Sequence, residues 1–435
     1  MKNTRKLKRL VFPVCLAALM SLAVLGFASG ETEAAAETVT LKMTSWISQS
    51  VDNYENQIVG PFNEAHPGIE IEYEMFPWST YWQKLQTLFA SGDEPDIMEM
   101  AADYKGAFVA NGHLLDLTPF LARGDVDKDD FFEESWNRGY VAGADGFYGI
   151  YSMVGTGVLM YNKDIFEDAG IPYPDSTWDY DKLLEVAKEL TVDEDGDGTP
   201  DQWGIVPGGG YWIHSLIPSF GGTVLNEDLS ESNLLSPGSL AGLQYDRDLI
   251  HKHGVAPTPE MADGLGELFF TGKVAMRPNS AYNIQRFREI EDFRWDIALL
   301  PEGPEGRKIA LFGDPAHSIS ANTEHPEEAW AFFKWYYNNL SVDNLILGGN
   351  FTGNKALADV WTSSQEGMVP HNIGVVQETV EVYGRRAPYW DVGLRTLPEI
   401  RRAVNDMMSS YRGGHVTVAE AAAEATATIN EALSR

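Results

Sequence analysis

Five carboxylates fall within nine residues at Asp193-Glu194-Asp195-Gly196-Asp197-Gly198-Thr199-Pro200-Asp201. This is the spacing of an oxygen-donor loop for a hard divalent cation. Asp193, Asp195 and Asp197 supply positions 1, 3 and 5, and Gly198 takes the sharp turn at position 6. Thr199 offers its carbonyl and Asp201 fills position 9. Oxygen ligands favour Ca2+ over softer metals. Carboxylates packed this densely also repel one another unless a cation neutralises them. The expectation is one structural Ca2+. Position 12 is Gly204, where the complete pattern has Glu. Either a distant residue completes the shell or binding is weak, and an acidic surface turn is the competing reading.

A second set of residues suits a different chemistry. Trp46, Trp78, Tyr81, Trp82, Tyr151, Tyr211, Trp212, Tyr282, Tyr389 and Trp390 fall near expected strand ends. Sugar rings present flat C–H faces that pack on aromatic rings, and their hydroxyls seek carboxylate or amide partners. Any single Trp is more often a core residue, and Trp178, Trp330 and Trp335 on helices read as core. Other arrangements carry no chemistry. His251 and His253 lack a third ligand nearby. Tyr336-Tyr337 lies mid-helix. Pro207 to Gly210 lacks the Gly-Lys-Ser/Thr of a phosphate loop. There is no Gly-x-Ser-x-Gly elbow and no His-Glu-x-x-His helix.

Composition narrows the setting. A basic stretch (Lys2, Arg5, Lys6, Lys8, Arg9) precedes an apolar run from Leu10 to Phe27 and the small residues Ala28-Ser29-Gly30. That pattern predicts a cleaved export signal over 1–30, with an uncleaved anchor as the alternative. Residues 31–38 read as a spacer. The one cysteine, Cys15, sits in the middle of the apolar run, not at its end where a lipid-anchoring cysteine belongs. Removing five basic residues and no acidic one takes the formal charge from −32 to −37. A surface this acidic opposes nucleic-acid binding.

The elements that must position these residues alternate in type. Val39–Met43, Ile69–Tyr73 and Glu94–Met98 read as strands, with helices at Tyr54–Ala65 and Trp82–Ser91 between them. Such alternation predicts an α/β fold. From Phe147 the chain reads FYGIYSMVGTGVLMYNKDIFEDAGIPYPDSTWDYDKLLEVAKEL. Thr177 is the expected cap of the next helix, with Asp179 and Asp181 in its first turn. Ser236 and Pro237 open another helix. The last two helices fall at about Thr396–Tyr411 and Thr417–Leu433.

The Phe147–Leu190 stretch resembles the lobe-crossing segment of the family 1 extracellular solute-binding proteins. Tyr151 replaces a usual Pro and Asp175 replaces the second Pro of the loop. "FNEAHPGIEIEY", "GDEPDI", "GHLLDLTPF", "SPGSLAGLQYDRDLI", "ELFFTGKVAM" and "HPEEAWAFFKWYY" extend the resemblance over nearly all of the chain beyond the signal. It implies a periplasmic-binding-protein type II fold with a hinge and a ligand cleft between two lobes. Lobe one would span 39–149 and 312–365, and lobe two 150–311 and 366–435. It implies a monomer that captures a carbohydrate and delivers it to the permease of an ABC importer. The implied ligand residues are Trp46, Trp78, Asp103, Tyr151, Trp212, Asn279, Tyr282, Asp314, Tyr389 and Trp390, with Trp212 and Tyr282 foremost. A carbohydrate-active hydrolase would also use cleft aromatics and carboxylates. A receptor for a polyamine, peptide or metal ion is a further alternative.

Overall fold

The computed structural model describes residues 38–46, 54–263, 267–312, 315–339, 351–386 and 394–435. The export signal and nearly all of the spacer lie outside these residues, as do Asp314, Tyr389 and Trp390. The strands are β1 (Val39–Ser45), β2 (Ile69–Met75), β3 (Ile97–Met100), β4 (Ile150–Tyr151), β5 (Met153–Asn162) and β6 (Trp203–Ile205). They continue with β7 (Val274–Ser280), β8 (Trp295–Ala298), β9 (Ile309–Phe312), β10 (Ala316–Ile319), β11 (Phe351–Thr352) and β12 (Gly384–Arg386).

The first sheet runs β2-β1-β3-β10-β4. β1 pairs in parallel with β2 and β3, and β10 returns antiparallel between β3 and β4. β1 alternates, burying Leu41 and Met43. β3 is covered on both faces and is buried throughout, as central strands of such sheets are. The second sheet runs β12-β9-β5-β7-β6, with β8 and β11 also on β5. All ten residues of β5 are buried, and its Val158-Leu159-Met160-Tyr161 run explains why.

Each sheet has its own core. Leu41, Phe62, Trp330 and Phe333 belong to the first, while Leu159, Leu216, Trp295 and Tyr411 belong to the second. The chain passes between sheets from β4 to β5, from β9 to β10, and again between helix α7 (Pro326–Asn338) and β11. That last passage corrects the expected boundary at 365. Phe351, Ala358 and Trp361 pack into the core of lobe two, and Phe351 pairs with Val154 of β5. Helical periodicity marks an apolar face but not the core that receives it. The other two crossings likewise move from 150 to after Tyr151 and from 312 to before Ala316.

Other helices carry or brace the candidate site residues. They are α1 (Trp78–Ser91), α2 (Ala102–Ala110), α3 (Lys163–Ala169), α4 (Tyr180–Glu189), α5 (Gly210–Ser219), α6 (Pro237–His251), α8 (Leu397–Arg412) and α9 (Val418–Leu433). Ser236 caps α6, accepting from Ser239 N, and Pro237 opens it. Thr417 and Glu420 form a complete capping box on α9. The cap of α4 differs from expectation. Asp179 accepts from Lys182 N at 2.7 Å, while Thr177 donates through its backbone and hydroxyl to Asp175 Oδ1 at 2.8 and 2.6 Å. Asp175 and Asp179 stand close together here, and Asp179, directly before the helix, takes the orphan N–H of Lys182 while Asp175 ties down Thr177.

Candidate functional site

The first candidate is an aromatic wall on lobe one. β1 ends at Ser45, so Trp46 emerges at the C-terminal end of this interior strand. α1 begins at Trp78 behind Pro77, and α2 follows directly from β3. Trp46 lies 5.1 Å from Trp78, 5.4 Å from Tyr81 and 5.3 Å from Trp82, centroid to centroid. Trp82 stacks on Tyr104 of α2 at 3.8 Å and 8°. Tyr81 and Trp82 are buried, and the Tyr81 hydroxyl donates to the Glu99 carbonyl at 2.8 Å. Trp78 remains 42% exposed, and Trp46 and Tyr104 are half-buried. The buried rings fix the exposed ones, as edge-to-face and stacked pairs hold each other in place.

Asp103 lies beside Tyr104 in the first turn of α2 and is 4% exposed. Its Oδ2 forms an ion pair with Arg401 of α8. Its Oδ1 is buried and has no hydrogen-bond donor among the described residues. Burial lowers the Arg401 guanidinium to a pKa of about 10, still cationic near neutral pH. Tyr104 was not among the expected site residues. Its only signal in the sequence is its place directly after Asp103.

Among the described residues, lobe two presents Asn279 and Tyr282. Tyr282 is 39% exposed on the short turn Ala281–Asn283 that ends β7, with Ser280 Oγ accepting its N–H at 3.2 Å. Asn279 is half-buried, and its Oδ1 accepts from Ser280 N at 2.8 Å and Asn283 Nδ2 at 2.9 Å. Trp212 departs from expectation. It is 1% exposed, and its ring N–H donates to Asp246 Oδ1 at 2.6 Å. Asp246 also accepts from the Tyr411 hydroxyl at 2.7 Å and from Arg412 at 2.7 and 2.9 Å. The ring belongs to the core of lobe two, because α5 is buried on nearly every side. Tyr151 is corrected for the same reason. It is fully buried in β4, with Lys105 Nζ 4.9 Å from its ring centroid.

The structure therefore brings Trp46 and Trp78 together on lobe one, with Asp103 next to Tyr104 of the same wall on α2. It places Asn279 and Tyr282 on lobe two and withdraws Trp212 and Tyr151 into cores.

The acidic loop joins α4 to β6 and is closed by the Val192–Gln202 bridge. Asp193, Asp195 and Asp197 each direct one carboxylate oxygen into a space where all lie within 4.8 Å of one another. Backbone N–H groups hold them. Gly196 and Gly198 donate to Asp193 at 2.8 and 2.9 Å, Asp197 N to Asp195 at 3.0 Å, and Thr199 N to Asp197 at 2.7 Å. Gly198 has φ +93°, open to glycine and strained for other residues. Asp201 does not join this group; its Oδ2 accepts from Glu194 N at 3.0 Å. Gly204 lies against α4, where a Cβ would overlap the carbonyl of Ala187.

Comparisons with known proteins add to this geometry. The family model described as "Bacterial extracellular solute-binding protein" matches residues 44–339. A Brucella abortus protein, named for binding without a stated ligand, is 26% identical over 72% of this chain and 74% of its own. A maltooligosaccharide ABC transporter solute-binding lipoprotein of Streptococcus pneumoniae is 24% identical over 62% of each chain. Among solved structures, an ABC substrate-binding protein from Listeria monocytogenes in complex with cycloalternan superposes with a TM-score of 0.77. It shares 20% identity over 92% of this chain and 100% of that one. The two-sheet architecture is thus the type II periplasmic-binding fold, and the chain belongs to the bacterial extracellular solute-binding proteins.

Proposed function

We propose that this chain captures a neutral oligosaccharide outside the cell and delivers it to the permease of an ABC importer. The observation that carries this reading is the wall of Trp46, Trp78 and Tyr104 with buried Asp103 beside it. Aromatic faces take sugar C–H surfaces, and a fixed carboxylate takes a hydroxyl. The relative named for maltooligosaccharide and the neighbour holding cycloalternan support the ligand class. Tyr282 and Asn279 offer contacts from lobe two, and Asp314, Tyr389 and Trp390 remain candidates. Capture proceeds by hinge closure about the chain crossings, and the closed form is what a permease recognises. The protein acts as a monomer, exported by a signal cleaved near Gly30.

A thermal-shift screen of mono- and oligosaccharides tests this. At least one oligosaccharide stabilises the native state by mass action and is recovered unaltered. Stabilisation by amines or metals alone, or release of reducing sugar, refutes it.

For the acidic loop we propose a structural Ca2+ held by Asp193, Asp195 and Asp197, with the Thr199 carbonyl as a further ligand. The converging oxygens support this, since such a donor set suits a hard cation. Asp201 supports the loop through Glu194 N instead.

A further inference from the structure

α8 belongs to lobe two. Leu397, Ile400, Val404, Met407 and Tyr411 lie in that lobe's core, and Arg412 at its C-terminal end is fastened to the fully buried Asp246. Arg401 stands at the margin of this apolar stripe, where α8 meets α2. α2 belongs to lobe one and cannot shift independently of the aromatic wall, because Tyr104 is stacked flat on Trp82. The ion pair between Asp103 and Arg401 therefore joins the two lobes. A buried carboxylate and a partly exposed guanidinium of opposite charge at a lobe junction hold it by more than contact area, through a charge-assisted contact that opening must break.

The second oxygen of Asp103 adds a further point. Oδ1 is buried yet lacks a donor among the described residues. A buried carboxylate oxygen left without a hydrogen bond is unfavourable, and any hydroxyl reaching it is rewarded. A neutral polyol supplies such hydroxyls.

We propose that Asp103 is the residue through which ligand occupancy on lobe one is coupled to closure. Its Oδ1 takes a sugar hydroxyl hydrogen while its Oδ2 holds Arg401 of lobe two. Arg401 is then a positioning residue that acts through Asp103 and touches no ligand. This rests on the oligosaccharide reading for the occupant of Oδ1; the clasp between the lobes stands apart from it.

The test uses the exported chain, which has no cysteine after Cys15. Exposed Gln86 on lobe one and Glu189 on lobe two are replaced by Cys and labelled for single-molecule energy transfer. Arg401→Gln, Arg401→Lys and Asp103→Asn are made in that background, with maltotriose as probe. Arg401→Gln broadens the ligand-free distance distribution, leaves the melting temperature within a few degrees, and weakens maltotriose binding by about tenfold. Arg401→Lys keeps the charge without the planar fork and falls between. Asp103→Asn both broadens the distribution and loses affinity. An unchanged distribution in Arg401→Gln overturns the clasp. Lost affinity in Asp103→Asn with an unchanged distribution makes Asp103 a ligand contact only and overturns the coupling. If the unmutated protein binds neither maltotriose nor any other oligosaccharide, the ligand reading fails, and the ligand-free distributions still decide the clasp.

Discussion

Replacing Trp212 by Ala separates a core ring from a cleft ring in a single variant. The side chain is 1% exposed, so nearly its whole surface is removed from water on folding. About 200 Å2 at about 25 cal/mol/Å2 corresponds to about 5 kcal/mol. That is an upper bound, because the unfolded chain already buries part of it. Measured Trp→Ala losses in cores of about 3–5 kcal/mol bracket the expectation. Trp212→Phe isolates the other component. It keeps most of the ring and removes the N–H that donates to Asp246 at 2.6 Å. Asp246 retains the donors from Tyr411 and Arg412. The expected loss is therefore nearer about 1 kcal/mol than the about 3 kcal/mol of a charged hydrogen bond with no substitute. Neither variant changes oligosaccharide affinity per folded molecule. Trp78→Ala is the counterpart. Its ring is 42% exposed, so stability falls by about 1 kcal/mol, while affinity drops about three- to tenfold. Urea unfolding and calorimetric titration on the same three preparations give both quantities. If Trp212→Ala costs under about 1 kcal/mol and abolishes binding, the assignment of this ring to the core is wrong.

Three other outcomes are expected. Chelation lowers the melting temperature of calcium-loaded protein, and Asp195→Ala removes that sensitivity while leaving sugar affinity intact; equal melting with and without chelator counts against the cation. Burial holds His317 neutral with a pKa of about 3, against 6.5 for the unfolded chain. The unfolded state therefore binds the extra proton as pH falls below about 6.5, and stability declines from there toward about 3. His317→Gln reduces the slope of stability against pH between about 6 and 4 by about one proton, or about 1.4 kcal/mol per pH unit, and an unchanged slope contradicts it. N-terminal sequencing of exported protein finds a start near Glu31, whereas a lipid-modified Cys15 or an intact Met1 excludes that processing.

The readable parts of this sequence were those governed by local rules. β1 and β2 followed from alternation and from the turn at Pro67-Gly68, while β3, buried on both faces, begins and ends two to three residues later than expected. Ser236 was found as a cap because a cap needs only its own first turn. The aromatic wall was half legible. Trp46 and Trp78 could be placed at element ends, but their meeting with Tyr104 depends on β1 lying beside β3, a non-local fact. Trp212 failed for the complementary reason. Its helix is apolar almost all round, so the 3.6-residue period loses contrast and cannot mark one face as exposed. Residues 351–364 show the same limit at the scale of a lobe, since an amphipathic segment between two cores fits either. Arg401 had no local signal at all. It is one of two adjacent arginines on a helix margin, and only the docking of α8 on α2 distinguishes it from exposed Arg402.

The close approach of Gly204 to α4 bears on how the acidic loop can evolve. Gly204 occupies the twelfth place of the pattern, where a bidentate Glu would complete the shell. A side chain there would have to displace the Ala187 carbonyl and push α4 away from β6. Gly204 N is also tied to Thr191 Oγ1 at 3.0 Å, which resists that displacement. Single substitutions therefore cannot convert this loop into a high-affinity buffer without breaking the packing beneath it. A cation bound here would keep solvent in its inner shell and would exchange readily. Occupancy would follow the calcium of the medium, in the regime of extracellular modules with dissociation constants on the order of 10⁻⁴–10⁻³ M.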